Sequence, residues 1–161
     1  MIRGVLVDRD GTIIVDVPYN GDPALVQPVT GAKAALDRLR AAGYRVGVLT
    51  NQSGVGRGMI TETQMRAVNA RVDELLGPFD GWFVCPHEPG EDCECRKPKP
   101  KLVFDAARAW GIDASQMAIV GDKESDMETA RNAGARGFGI SPVVSFVDAV
   151  ELVLAQRPCD Q

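Results

Sequence analysis

The chain has 161 residues, 45% of them hydrophobic and 25% charged, a composition that suits one globular domain with a substantial core. A net charge of −4 argues against a global basic field for nucleic acid, and no apolar run approaches the ~20 residues that cross a bilayer. With no secretory signal pattern ahead of the first strand, the expectation is a cytoplasmic, monomeric protein whose four cysteines stay reduced.

In chain order, residues 2–8 form an apolar, β-branched run and read as a strand. Residues 11–29 hold Pro18, Pro23 and Pro28 and read as a loop or small flap. Thr30 is the expected cap of a helix over residues 31–42, with Ala34, Ala35, Leu36 and Leu39 on its inner face and Gly43 as its stop. A second strand is expected over residues 44–50. Thr61 and Gln64 then make a capping-box pattern for a helix to Leu76, ended by Gly77-Pro78. Residues 79–85 read as a third strand, 100–110 as a helix closed by Gly111, 117–121 as a fourth strand, and 125–133 as a helix closed by Gly134. A short strand over 137–140 and an amphipathic helix over 146–156 complete the pattern, and residues 157–161 read as a frayed tail. Alternation of this kind predicts a Rossmann-like three-layer α/β/α fold with a parallel sheet, in a single domain spanning 1–161.

Polar chemistry falls at three strand ends, where ligands bind in such folds. The first strand ends on Asp8-Arg9-Asp10-Gly11-Thr12. Two carboxylates held close at the end of a buried strand need compensation, for which a divalent cation is suited. An aspartate there can also attack phosphorus. The second strand runs into Thr50-Asn51-Gln52-Ser53-Gly54, a hydroxyl, amides and glycine N–H groups suited to phosphate oxygens. Lys97, within Arg96-Lys97-Pro98, offers a point cation for phosphate or else belongs to a solvated basic patch. The fourth strand ends on Gly121-Asp122, with Asp122 as a further metal ligand; for Asp126 two readings stand, a metal contact or a helix cap and support.

As an ordered set, Asp8-x-Asp10-Gly11-Thr12, Thr50, Lys97 and Gly121-Asp122-x-x-x-Asp126 resemble the motifs of the haloacid dehalogenase superfamily of phosphohydrolases over residues 2 to about 140. The resemblance implies that Asp8 is the nucleophile that takes the phosphoryl group. It implies that Asp10 protonates the leaving alkoxide and then activates water. Thr50 and Lys97 would hold the phosphoryl oxygens, with Mg²⁺ on the Asp8 and Asp122 carboxylates and the Asp10 backbone carbonyl. The spacing between motifs leaves no room for a large cap domain. A response-regulator-like switch shares an acidic pocket of this kind, but Asp10 supplies the acid/base group that makes a phosphatase.

Cys85, His87, Cys93 and Cys95 lie within eleven residues and match a closed, structural Cys₃His zinc site in a loop over 85–95. Zinc here would stiffen the loop that feeds Arg96-Lys97. A zinc ribbon binding nucleic acid through residues 96–101 is disfavoured by the net charge and by the lack of interleaved aromatics. Cys159 has no evident partner in the sequence. A zinc loop directly before Arg-Lys-Pro resembles the branch that holds D-glycero-D-manno-heptose 1,7-bisphosphate phosphatases and histidinol-phosphate phosphatases. Residues 50–58, including Arg57, look like the heptose enzymes; the five-residue spacer between His87 and Cys93 looks like the histidinol-phosphate enzymes. Asn51, Arg57 and Arg96 are the candidate substrate-binding residues, with arginine forks suited to a second phosphate. Carboxylates at Glu88, Glu91, Asp92 and Glu94 would instead suit a cationic substrate. In either case the expected partner is a small phosphorylated metabolite.

Overall fold

The computed structural model describes residues 1–156. Five parallel strands form one sheet in the order β3-β2-β1-β4-β5. They are β1 (Gly4–Val7), β2 (Arg45–Asn51), β3 (Trp82–Cys85), β4 (Met117–Gly121) and β5 (Arg136–Gly139). Six helices connect or follow them: α1 (Ala32–Ala41), α2 (Ser53–Gly56), α3 (Glu62–Leu76), α4 (Lys101–Trp110), α5 (Glu124–Ala133) and α6 (Phe146–Leu154). Every strand and long helix expected from the sequence is present, with ends displaced by up to three residues. The unexpected elements are α2, a single turn hidden in a polar Gly-rich run, and two short 3-10 turns, Pro23–Leu25 and Ala114–Gln116.

Alternation along the strands sorts the interior into two cores. Val5, Val7, Val46, Val48, Ala118 and Val120 point to one face, where Leu36, Leu39, Val72, Leu76, Phe146 and Val150 of α1, α3 and α6 cover them. Leu6, Leu49, Met117 and Ile119 point to the other face, under Leu102, Val103, Ala106, Ala130 and Ala133 of α4 and α5. Burying a Leu or Val of this kind is worth about 1.5–3 kcal/mol. The two cores therefore fix the sheet as a buried central layer, and the outcome is the expected three-layer α/β/α fold.

Two local expectations fail. Thr30 does not cap α1: the N-cap is Gly31 at φ 79, and it makes no side-chain cap bond. A left-handed entry favours glycine over threonine and moves the helix start one residue on. This shift puts Ala32 on the buried face beside Ala35, Leu36 and Leu39, and leaves Ala34 exposed. The capping box at Thr61 and Gln64 forms as expected. The 11–29 segment is a flap tied down at its start, with Ile13 and Ile14 buried and Ile14 bridged to Pro28. Among the described residues no helix is long and apolar enough to cross a membrane. The expected tail and Cys159 lie outside the described residues.

Candidate active site

Register brings the chemistry together. Val7 pairs with Val48 on one side and Val120 on the other, so the residues that follow these strands converge on one edge of the sheet. Asp8 is the first residue beyond β1 and is 5% exposed. The Lys97 ammonium sits 3.0 Å from Asp8 Oδ1, 2.6 Å from Asp126 Oδ1 and 3.3 Å from the Leu49 carbonyl. Both ion pairs are buried, so they are screened little by solvent.

Burial pushes the Asp8 carboxyl up to about 7; Lys97 pulls it down, and Asp126 and Asp122 add to the rise. Burial works against the charge on Lys97, but Asp8 and Asp126 outweigh it and hold its pKa above the ordinary lysine value. Lys97 is therefore a permanent cation facing more negative charge than it can neutralise.

Asp122 is exposed at the end of β4, and its Oδ1 accepts a hydrogen bond from the Thr12 hydroxyl at 3.1 Å. Gly11, at φ 78, makes room for it: a Cβ there would lie 2.6 Å from Asp122 Oδ2. Carboxylate oxygens of Asp8, Asp122 and Asp126 lie within 4.8 Å of one another. Three carboxylates around one lysine leave a surplus of negative charge, and hard oxygen donors at a buried edge fit a divalent cation such as Mg²⁺. Asp126 is already spent. It is fully buried at the third position of α5, bonded to Lys97 and accepting from the Lys123 backbone N–H at 3.1 Å. The geometry thus favours Asp126 as support and cap, leaving Asp8 and Asp122 as carboxylate donors.

Thr50 is buried and accepts from Gln52 Nε2 at 2.8 Å, while Asn51 Oδ1 accepts from the Lys97 backbone N–H at 3.1 Å. Asn51 therefore positions the lysine as well as bordering the pocket. A cavity of about 250 Å³ beside these strand ends is lined by Arg9, Asp10, Asp16, Tyr19, Asn51 and Lys123 among others, with Asp8, Thr50, Lys97 and Asp122 outside its lining. A larger groove of about 760 Å³ between α3 and β3 contains none of the strand-end carboxylates. Arg57 is exposed at the end of α2 and Arg96 is half-buried, with its Nη1 3.4 Å from the His87 carbonyl; neither lines the cavity. Arg9, Gln52 and Lys123 were not singled out by sequence reasoning. For Arg9 the sequence offers only its place between Asp8 and Asp10, which does not reveal its partner Asn69.

Cys85, His87, Cys93 and Cys95 converge as expected, all four donor atoms lying within 4.8 Å. His87 Nδ1 is 3.4 Å from Cys85 Sγ and 3.2 Å from Cys95 Sγ, and Cys85 and Cys93 sulfurs are 3.9 Å apart. Those three cysteines are free thiols. Burial pushes the Cys85 thiol up to about 12, so a thiolate at that position requires a cation. The Cys85 and Cys95 sulfurs are 2.8 Å apart, closer than the edge of a zinc tetrahedron, while the donor set of three cysteines and one histidine gathered around one point suits zinc. His87 Nε2 faces Glu91 Oε2 at 4.0 Å, the outer carboxylate that a ligating histidine commonly has. The cluster is joined to the site by backbone bonds: Gln52 N–H donates to the Cys85 carbonyl at 2.7 Å and Gly56 N–H to the Pro86 carbonyl at 2.8 Å.

Comparison with known proteins agrees with this geometry. The family described as haloacid dehalogenase-like hydrolase matches residues 21–134. A D-glycero-beta-D-manno-heptose-1,7-bisphosphate 7-phosphatase of Rhodopseudomonas palustris is 40% identical over 143 residues, 82% of this chain and 79% of the relative. A relative of the same name from Pasteurella multocida is 36% identical over 83% of this chain and 78% of its own. Among solved structures, the D,D-heptose 1,7-bisphosphate phosphatase of B. bronchiseptica, complexed with magnesium and phosphate, superposes with a TM-score of 0.87 at 27% identity, covering 97% of this chain and all of that one. A HAD-like phosphatase from Mesorhizobium loti gives a TM-score of 0.78 at 31% identity, covering 94% of this chain and 87% of that one. With its strand-end carboxylates, buried lysine and this degree of similarity, the chain belongs to the haloacid dehalogenase-like hydrolases and is a phosphatase.

Proposed function

We propose that the chain hydrolyses the 7-phosphate of D-glycero-D-manno-heptose 1,7-bisphosphate through an aspartyl-phosphate on Asp8. The observation that carries the chemistry is the buried Lys97 ammonium 3.0 Å from Asp8, beside a carboxylate set suited to a divalent cation. The substrate reading rests on relatives at 36–40% identity that bear that name.

An Asp8 oxygen attacks phosphorus and the bond to the sugar oxygen breaks, while Asp10 gives its proton to the departing alkoxide. Water then attacks phosphorus, Asp10 takes the water's proton, and the bond from phosphorus to Asp8 breaks, freeing phosphate. Lys97 and Thr50 hold phosphoryl oxygens; Thr50 already accepts from Gln52, so its own proton is the one to donate. Asp8, Asp122 and the Asp10 carbonyl would hold Mg²⁺, which when bound neutralises charge between carboxylate and phosphate. Lys123, lining the cavity, supplies a cation for the substrate, whereas Arg57 and Arg96 contribute only if their loops turn inward. Cys85, His87, Cys93 and Cys95 would hold zinc as a brace. Residues 1–161 act as one domain in the cytoplasm.

The deciding experiment compares kcat/KM for heptose 1,7-bisphosphate with that for histidinol phosphate. A preference of at least about tenfold for the bisphosphate is expected, the order of one good charged contact. The reverse preference assigns the acidic residues of the zinc loop to a cationic substrate and overturns the heptose reading.

A further inference from the structure

Between Asp8 and Asp10 lies Arg9, a buried arginine at 2% exposure. Its Nε is 3.2 and 3.3 Å from the two Asp10 carboxylate oxygens, and its Nη2 lies 3.1 Å from Oδ2. The rest of the fork is taken up elsewhere: Nη1 donates to Asn69 Oδ1 of α3 at 2.7 Å, and Nη2 donates to Gln52 Oε1 at 2.9 Å. Gln52 closes the ring, its Nε2 reaching Asp10 Oδ2 at 3.0 Å and Thr50 Oγ1 at 2.8 Å. The Asp10 carboxylate is thereby turned away from the Asp8, Asp122 and Asp126 cluster, of which it is not a member.

A carboxylate two residues after the nucleophile has two competing destinations. One is the cationic pole around Lys97, and the other is the face where a leaving oxygen departs. A fixed guanidinium fork decides between them, because it grips both carboxylate oxygens in one plane. A buried guanidinium needs acceptors in any role; here Asn69 and Gln52, on two separate segments, fix its direction and so fix the edge that faces Asp10. We propose that Arg9, anchored by Asn69 on α3 and by Gln52 after β2, is a positioning residue that holds the Asp10 carboxyl for proton transfer to the leaving group. This rests on the assignment of Asp10 as proton donor.

The test separates positioning from simple stabilisation by the leaving group. Loss of a placed proton donor slows departure of an alkoxide far more than departure of 4-nitrophenolate, which leaves without a proton. Arg9→Lys keeps the charge but not the fork, and Asn69→Ala removes only the anchor on α3. With Mg²⁺ present, kcat/KM is measured on an alkyl sugar phosphate and on 4-nitrophenyl phosphate. The expected result is a fall of about tenfold or more in the alkyl-to-aryl ratio for Arg9→Lys, and a smaller fall of the same sign for Asn69→Ala. An equal loss on both substrates in both variants overturns the proposal. If Arg9→Lys does not fold, Asn69→Ala alone decides. Asp10→Asn serves as control: should it show no alkyl-to-aryl split, the assignment of Asp10 fails, which is a different failure from that of Arg9.

Discussion

The Lys97 ammonium and the Asp8 carboxylate, 89 positions apart in sequence, meet 3.0 Å apart in the interior, with Asp126 completing the arrangement at 2.6 Å. Asp126 is thus a second buried partner that keeps the lysine charged and aimed independently of Asp8. Asp126→Ala leaves a buried lysine half-paired and costs about 3–5 kcal/mol in urea unfolding. Asp126→Asn can still accept from Lys123 N–H and should cost less than the alanine. Equal losses in the two variants would show that the cap and the pairing are not separable as argued.

Asp8→Asn is expected to abolish turnover and leave the circular dichroism spectrum unchanged. Without cation, the folded-state pKa of Asp8 is raised from 3.8 to about 7, burial being the main cause. The folded state then holds a proton that the unfolded chain releases, so stability falls as pH rises through that window. The metal-free protein should therefore melt lower at pH 8 than at pH 5, with Mg²⁺ raising Tm more at the higher pH. Asp8→Asn should flatten that slope, and an unchanged slope in the variant would assign the effect to other groups.

About one zinc per chain is expected in protein purified without added metal, by elemental analysis. Cys85→Ser should lose it. Because the 85–95 loop is bonded to Gln52 and Gly56 and runs into Lys97, the same variant should lower kcat by about tenfold or more through displaced phosphate-holding groups. Metal-free protein with full activity would sink both statements.

Gly11→Ala places a methyl group against Asp122 at a backbone conformation that alanine resists, since φ is 78. The expectation is weaker Mg²⁺ activation, read as a raised metal concentration for half-maximal rate, with about 1–2 kcal/mol lost in stability. Gly134→Ala is the control, for it has the same hand of backbone at φ 74 but no neighbour in the way. It should lose stability and leave metal dependence unaltered.

Much of this was legible in the sequence because strand-end chemistry follows from order along the chain. Asp8, Thr50 and Asp122 each close an apolar run, and parallel register lines such ends up. The convergence of Cys85, His87, Cys93 and Cys95 was legible from residue type and spacing alone. Arg9 was not, because its role depends on Asn69, 60 positions away on a helix face. The start of α1 was misplaced because Thr30 has the chemistry of a cap, whereas the chain turns at Gly31 instead. Arg57 read as a pocket residue from its loop, but an unpredicted turn, α2, carries it to the exposed side.

Strand order also separates what can change from what cannot. Asp8 follows the central strand β1 and Asp122 follows its neighbour β4, both enclosed by other strands. The loop over 85–95 instead hangs from β3, an edge strand paired with β2 alone, and none of the three clustered carboxylates sits on it. Length and charge can therefore vary at that edge without moving the strands that carry Asp8 and Asp122, provided that the bonds to Gln52 and Gly56 are kept.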